Sequence, residues 1–264
     1  MQQYSTAWIF GFAFLICLVC SLLVSLAAVS LHERQETNKR AHKLNSVLEA
    51  GHLVEPGAAL SAQEIDAYFQ APEEGVEQEK PVIESHVVDL TADVETGEDP
   101  ASFDETTVAQ LELEANSAGL KEIPEKRLVF FVKRGGEVDQ VILPVEGKGL
   151  WSTLHGYIAL EPDLNTVKGL TYYDHGETPG LGGEVDNPRW KSNWVGREIY
   201  EDGEVAVEVI KGSAPPAEEA PHKVDGLSGA TLTSRGVSNM MHFWFGENGY
   251  GPYLDKLREQ LQTG

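Results

Sequence analysis

The chain has 264 residues, with 42 Asp and Glu against 20 Lys and Arg, and a formal net charge of -22. Hydrophobic residues make up 41%, enough for a packed core and too many for wholesale disorder. The acidic balance excludes a nucleic-acid binder, which requires a Lys/Arg field for the phosphates. Two cysteines, Cys17 and Cys20, exclude a disulfide scaffold and any metal or iron–sulfur site built on several thiolates.

The first 32 residues contain no Asp, Glu, Lys or Arg, and Glu33 is the first charge. From Trp8 to Leu31 the run is apolar; as a helix its length is about 36 Å, enough to cross a bilayer with some tilt. Tyr4 and Trp8 lie where interfacial aromatic anchors sit. The segment lacks the basic start and short apolar core of a cleaved signal peptide, so the expectation is an uncleaved single span. Cys17 and Cys20, in C-x-x-C spacing inside this helix, read as small hydrophobes. Arg34, Lys39, Arg40 and Lys43 follow the span, and by the positive-inside rule alone would hold the following chain in the cytoplasm.

Residues 34–50 read as a polar helix with Gly51 as its C-cap. A short helix is expected over 61–70, opened by Ser61 with Glu64 as a capping box and stopped by Pro72. Residues 61–114 carry sixteen acids against one base, Lys80. Such a stretch is either a solvated outer face or an acidic docking surface, and it lacks the Asp-x-Asp-x-Asp-Gly pattern of a calcium loop. Residues 82–90 predict a strand and 103–116 a helix. Leu128–Lys133 and Val138–Pro144, joined by Arg134-Gly135-Gly136-Glu137, predict a hairpin. Further strands are expected at 153–160, 166–173 and 204–211, and helices at 231–245 and 252–261. Strands and helices do not alternate regularly, so the class is α+β rather than a doubly wound sheet: one N-terminal membrane helix over 1–33, a helical and acidic part over 34–120, and a ligand-binding part over 121–264.

The sharpest motif is Asp225-Gly226-Leu227-Ser228-Gly229-Ala230-Thr231, a Gly-rich turn running into a helix. Its unpaired backbone N–H groups favour an anion such as a phosphate, and Gly229 and Ala230 leave room for close approach. Ser228, Thr231, Thr233 and Ser234 crowd hydroxyls into the same place. A plain capped helix start accounts for the same residues, and no Walker A spacing is present.

This D-G-x-S-G-A-T stretch resembles the flavinylation motif of the FMN-binding domains of respiratory ion pumps. Gly149-Leu150-Trp151-Ser152-Thr153 is similar to the family's G-L-W-S-T segment, and Glu177-Thr178-Pro179-Gly180-Leu181-Gly182 to its E-T-P-G-L-G loop; Asp186-Asn187-Pro188-Arg189-Trp190 agrees as well. Over essentially its whole length the chain resembles the family of C subunits of Na+-translocating NADH:quinone oxidoreductases. The related G subunits of Rnf complexes share two of these motifs, but are usually shorter and lack the acidic region. A non-redox, membrane-anchored docking module is the alternative of another class.

The resemblance implies an electron-transfer subunit of a translocase. FMN would be joined to Thr231 by a phosphoester bond made by a separate FAD:protein FMN transferase from FAD, with magnesium. It implies partners in the other subunits of the pump, one span in the bacterial inner membrane, and a periplasmic flavin domain at 121–264, against the charge flank. Beside Thr231, the expected cofactor neighbours are Ser228, Gly229, Ala230 and Thr233 at the phosphate, the Glu177, Thr178, Gly180, Leu181 and Gly182 loop at the isoalloxazine ring, and Trp151, Ser152 and Thr153 at the ring or ribityl chain. The loop is equally readable as a tight turn, Trp151 as core, and Thr233 as a first-turn residue. His155 and His175 read as ordinary histidines, and Trp244 and Phe245 as core. No residue is assigned as a metal ligand or as catalytic. With no G-x-G-x-x-G fingerprint, the chain alone is not expected to turn over NADH.

Overall fold

The computed structural model describes residues 5–58, 60–70 and 81–263. Tyr4, the Pro72 helix stop and the acidic Glu73, Glu74, Glu77 and Glu79 with Lys80 lie outside the described residues. The chain divides into two compact units, Met1–Lys43 and Leu44–Gly264.

The first unit is helical. Helix α1 runs unbroken over Thr6–Ala50, so the apolar span and the polar helix expected after it are one element. Phe10, Phe14, Leu23, Val24, Leu26 and Val29 point outward and are exposed. None of its most apolar window is buried, and the helix is long and apolar enough to cross a membrane. Cys17 and Cys20 are free thiols on this surface.

The last turn of α1 belongs to the second unit, with Val47, Leu48 and Ala50 fully buried. It ends in a Schellman motif: the Leu53 amide donates to Leu48 O at 2.9 Å and the His52 amide to Glu49 O at 3.0 Å. Gly51 takes the C-cap position directly after Ala50, as expected, and the left-handed residue is the next one, His52, with φ 51°. Gly51 also serves packing: a Cβ there would lie 3.0 Å from Ile142 Cδ1, and its carbonyl accepts from Gln140 Nε2 at 3.0 Å. Burial lowers the His52 pKa, helped by Lys168 and Lys191, so the ring stays neutral more readily against this packed turn.

Helix α2, Ala62–Phe69, begins with the expected capping box: Ser61 N donates to Glu64 Oε2 at 2.8 Å and Glu64 N to Ser61 Oγ at 3.3 Å. Strand β1, Val82–Asp89, follows, with β2, Val94–Glu95, turned back against it. The helix expected over 103–116 does not form. Asp104 Oδ1 accepts from the amide and hydroxyl of Thr106 at 2.9 and 2.8 Å, a local turn that competes with helix. Beyond it β3, Gln110–Glu112, pairs with β4, Glu122–Pro124, burying Ile123. The described acids of this region are largely used within the chain: Asp89 and Asp99 also cap turns, Glu84 pairs with Lys133, Glu98 with Lys126, and Glu95 with His86.

The centre is a six-stranded antiparallel sheet in the order β2-β1-β5-β6-β7-β8. The expected hairpin is its spine: β5, Lys126–Arg134, and β6, Glu137–Lys148, joined through Gly135 and Gly136 at φ 60° and 92°. Two positive φ angles make the turn whose twist matches the strands. Strands β7, Thr153–Leu160, and β8, Val167–Asp174, extend it close to their expected bounds.

The continuous strand expected at 204–211 is split. Asp202 and Gly203, at φ 52° and 86°, turn β9, Tyr200–Glu201, into β10, Glu204–Val205. The Ala206 and Val207 amides then both donate to Ile199 O, breaking the ladder, and β11, Glu208–Val209, pairs parallel with β12, Lys223–Val224. Between β8 and β9 lie a 3-10 turn, Gly182–Asp186, and the short helix α3, Pro188–Ser192, with Asn187 as N-cap.

Helix α4, Thr231–Trp244, lies on β6, and α5, Gly251–Thr263, closes the C-terminal end. Trp244 Nε1 donates to Glu146 O at 2.7 Å and Tyr250 Oη to Pro144 O at 2.9 Å, which pins both helices to the sheet. Arg127, buried, reaches Glu146 at 3.4 Å and stands 4.8 Å over the Trp244 ring. Its charge is thereby paired rather than stranded in the core.

Candidate functional site

The Gly-rich turn is built as the sequence pattern suggests. Gly229 has φ 72°, which a side chain would strain, and a Cβ there would lie 3.0 Å from Leu181 Cδ2. Ala230, buried, is the N-cap of α4 but offers no side-chain cap. The turn is fastened from within: Leu227 N donates to Ser234 Oγ at 3.0 Å, Ala214 N to Asp225 Oδ1 at 2.7 Å, and Trp190 Nε1 to Asp225 O at 2.8 Å. Ser228 and Thr231 are exposed.

Thr231 is the first residue of α4, so its hydroxyl stands at the positive end of a 14-residue helix whose N-cap, Ala230, makes no side-chain cap hydrogen bond. A phosphate there meets the unclaimed N–H groups and the helix dipole, and the sequence has left that place without a capping Ser, Asp or Asn side chain. Thr233, two residues on, is fully buried and donates to Glu177 Oε2 at 2.6 Å. The crowded hydroxyls are thus sorted: Ser234 and Thr233 are internal fasteners, whereas Ser228 and Thr231 face out.

Two loops meet this helix start. In the first, Gly149–Ser152, Trp151 N donates to Glu177 Oε1 at 2.9 Å and Ser152 N to the same oxygen at 3.3 Å. Ser152 Oγ accepts from Gly176 N at 2.6 Å. The second runs from Glu177 to Gly183. Thr178 O accepts from Leu181 N at 3.1 Å and from Gly183 N at 2.9 Å, with Pro179 and Gly180 (φ 77°) in the central positions of a type II turn. The E-T-P-G-L-G loop is therefore a tight turn, which holds the Leu181 side chain out beside Gly229.

Glu177, the first residue of the second loop, is buried, 5% exposed. Burial pushes its pKa up. Hydrogen bonds from the Thr233 hydroxyl and from backbone amides of the Gly149–Ser152 loop outweigh that and hold the carboxyl below its ordinary value. It is ionised at neutral pH.

Trp151 is exposed rather than core, at 71%, and Leu150, Leu181 and Leu232 are 46%, 43% and 52% exposed. These four apolar side chains, carried on the two loops and the first turn of α4, offer a surface that suits a flat ring system. Leu150 and Leu232 are not among the expected neighbours. Neither carries a signal in the sequence: Leu150 lies in a loop between two strands, and Leu232 reads as one more apolar residue of an amphipathic helix. Thr153 falls outside this group: it opens β7 and accepts from Lys148 Nζ at 2.7 Å. His155 pairs with Glu146 and His175 with Asp186, and Trp244 and Phe245 are core, as expected.

The site's geometry and the comparisons with known proteins converge. Residues 149–246 match the FMN-binding domain family, a span that opens at the Gly149 loop and contains the Glu177 loop and the Thr231 turn. The chain is 43% identical over 268 residues to the C subunit of the Na(+)-translocating NADH-quinone reductase of Pseudomonas aeruginosa, covering 98% of both chains. It is 40% identical to the C subunit of the Yersinia pestis reductase, covering 93% of this chain and 90% of that one. The crystal structure of Shewanella oneidensis NqrC superposes with a TM-score of 0.72 at 33% identity, over 84% of this chain and 99% of that one. The chain belongs to the NqrC family, the C subunits of Na+-translocating NADH-quinone reductases, and its second unit contains that family's FMN-binding domain.

Proposed function

We propose that this chain is the membrane-anchored electron-carrier subunit of a bacterial Na+-translocating NADH:quinone oxidoreductase, holding FMN through a phosphoester on Thr231. It assembles with the other subunits of that complex in the inner membrane, with the flavin domain on the periplasmic side. The observation that carries the reading is the position of Thr231: an exposed residue that opens a helix with no side-chain cap, on a helix start to which Glu177 fastens the loop carrying exposed Leu150 and Trp151.

Esterification is a phosphoryl transfer to this side chain. Thr231 Oγ bonds to the FMN phosphorus of FAD, the pyrophosphate P–O bond breaks, AMP leaves, and the hydroxyl proton goes to solvent. An FAD:protein FMN transferase with its magnesium supplies the activation, so Thr231 requires accessibility rather than an unusual pKa. The helix start stabilises the charge remaining on the diester. Once attached, FMN supplies a carrier that accepts and passes on single electrons. The tether sets its effective concentration in a compartment without a free flavin pool.

Trypsin cuts after Lys223 and Arg235 and releases the whole turn as one peptide. From protein made together with the transferase, this peptide is expected to carry one added FMN phosphoryl group, placed on Thr231 by fragmentation, and to lack it in Thr231→Ala. An unmodified peptide, or flavin on Ser228 or Thr233, overturns the assignment. An alkaline phosphatase, whose disulfides form only outside the cytoplasm, is expected to be active when fused after Gly264; an inactive phosphatase fusion beside an active cytoplasmic reporter fused at the same place overturns the orientation.

A further inference from the structure

A ring joined to the protein by one phosphoester and a flexible ribityl chain is tethered, not positioned. What would position it is the pair of loops facing Thr231, and both converge on one buried group. Glu177 Oε1 takes the amides of Trp151 and Ser152, and Oε2 takes the Thr233 hydroxyl on the helix that starts at Thr231. The two loops are shaped around this carboxylate. A Cβ at Gly149 would stand 2.6 Å from Glu177 Oε1, and one at Gly182 would stand 2.6 Å from both Glu177 Oε2 and Thr233 Oγ1. Every group bonding the carboxylate is neutral, so an ion pair does not explain its place.

We infer that Glu177 is the positioning residue for the flavin: it ties the Gly149–Ser152 loop, the Thr178–Gly183 loop and the first turn of α4 to one point, and so fixes the apolar walls between which the ring lies. This rests on esterification of Thr231. Glu177 acts through the loop of Leu150 and Trp151, whose amides it holds, and through the turn that it opens, which carries Leu181. Removing the carboxylate leaves two amides and a hydroxyl without their acceptor in a buried place, and the loops are released to find water. Gln preserves the fastening, because its carbonyl accepts from the two amides while its NH2 donates to Thr233 Oγ1.

The test uses the full chain in detergent, made with the transferase, and reads the time-resolved fluorescence anisotropy of the attached flavin beside intact mass. Wild type is expected to show a slow decay that follows tumbling of the whole particle. Glu177→Ala is expected to keep the flavin mass and to lose the slow component to fast local motion, while Glu177→Gln keeps it. Tyr250→Phe, which removes the buried bond to Pro144 O, lowers stability without freeing the ring. A slow decay in Glu177→Ala equal to wild type overturns the inference, as does equal loss in the Ala and Gln variants. If Glu177→Ala does not fold, Thr233→Val decides: a fast component supports the inference, and a wild-type decay overturns it. A wild-type chain without flavin mass overturns the esterification itself, and this inference with it.

Discussion

Thr231 and Thr233 stand two positions apart in one motif and have opposite environments: the first is exposed at the helix start, the second is fully buried with its proton committed to Glu177. The motif narrows the flavin site to a turn, and its resemblance singles out Thr231; exposure supplies a physical reason for that choice. The part played by Glu177 is not legible in the sequence, because its partners lie 25, 26 and 56 positions away and two of them are backbone amides that carry no sequence signal. Gly236 is a similar case. Within a helix glycine reads as a defect, yet a Cβ there would collide with the backbone carbonyl of Lys148, so α4 owes its closeness to β6 to the missing side chain. Gly236→Ala gains about 1 kcal/mol of helix propensity. It loses about 1–3 kcal/mol, or somewhat more, through overpacking against backbone that has little freedom to move. The net expectation is a lower urea midpoint at an unchanged slope; an equal or higher midpoint would show that the helix shifts freely along the strand.

Among the elements, those with strong local signals are readable from the sequence: the capping box of α2, the Gly-Gly hairpin between β5 and β6, and the amphipathic α4. Those that depart from expectation are decided by partners. Residues 103–116 have helical spacing, but the Asp104 turn and the Leu111–Ile123 pairing win. Residues 204–211 alternate cleanly, but two different partner strands divide them. The β1–β2 edge gives a pH prediction at this scale. His86 Nδ1 meets Glu95 Oε2 at 2.6 Å, with Glu84, Lys133 and Tyr253 around the pair. The bond to Glu95 raises the His86 pKa above 6.5 against the opposing effect of burial. The bond to His86 lowers that of Glu95 below 4.5, again against burial. The histidine contribution is fully present below 6.5 and is lost as pH rises through the raised folded pKa; the glutamate contribution is present above 4.5 and is lost as pH falls through the depressed one. The pair therefore contributes most between those two ordinary values. The side chains are about a third exposed, so the effect is small, below about 1 kcal/mol. Amide exchange of β2 is expected to be slowest, relative to intrinsic rates, in that window, and His86→Gln is expected to flatten the profile; a wild-type profile already flat would rule the pair out as a stabiliser.

At the scale of the molecule, the position where the exposed part of α1 gives way to the folded unit is set by burial, not by the change in composition. Charge appears at Glu33, and composition opens the second part at Arg34; the second compact unit starts at Leu44, inside the continuous helix α1. Its first residues are not a linker. Val47, Leu48 and Ala50 are fully buried, Gly51 O is held by Gln140, and the Schellman bonds of His52 and Leu53 close the turn against the sheet. Two truncations separate composition from burial. A chain beginning at Leu44 loses the exposed apolar span and none of the second unit, so it is expected to be water-soluble and to keep near-UV circular dichroism and the Tm of the full chain's folded part. A chain beginning at His52 additionally loses Val47 and Leu48, whose burial is worth about 1.5–3 kcal/mol each. It also uncovers Gln140 and Ile142 on the sheet. A marked fall in Tm is expected, together with faster amide exchange in β6. Equal melting of the two truncated chains would mean that the last turn of α1 adds nothing to the core, and the folded unit would then have to begin with the sheet-bearing segment rather than at Leu44.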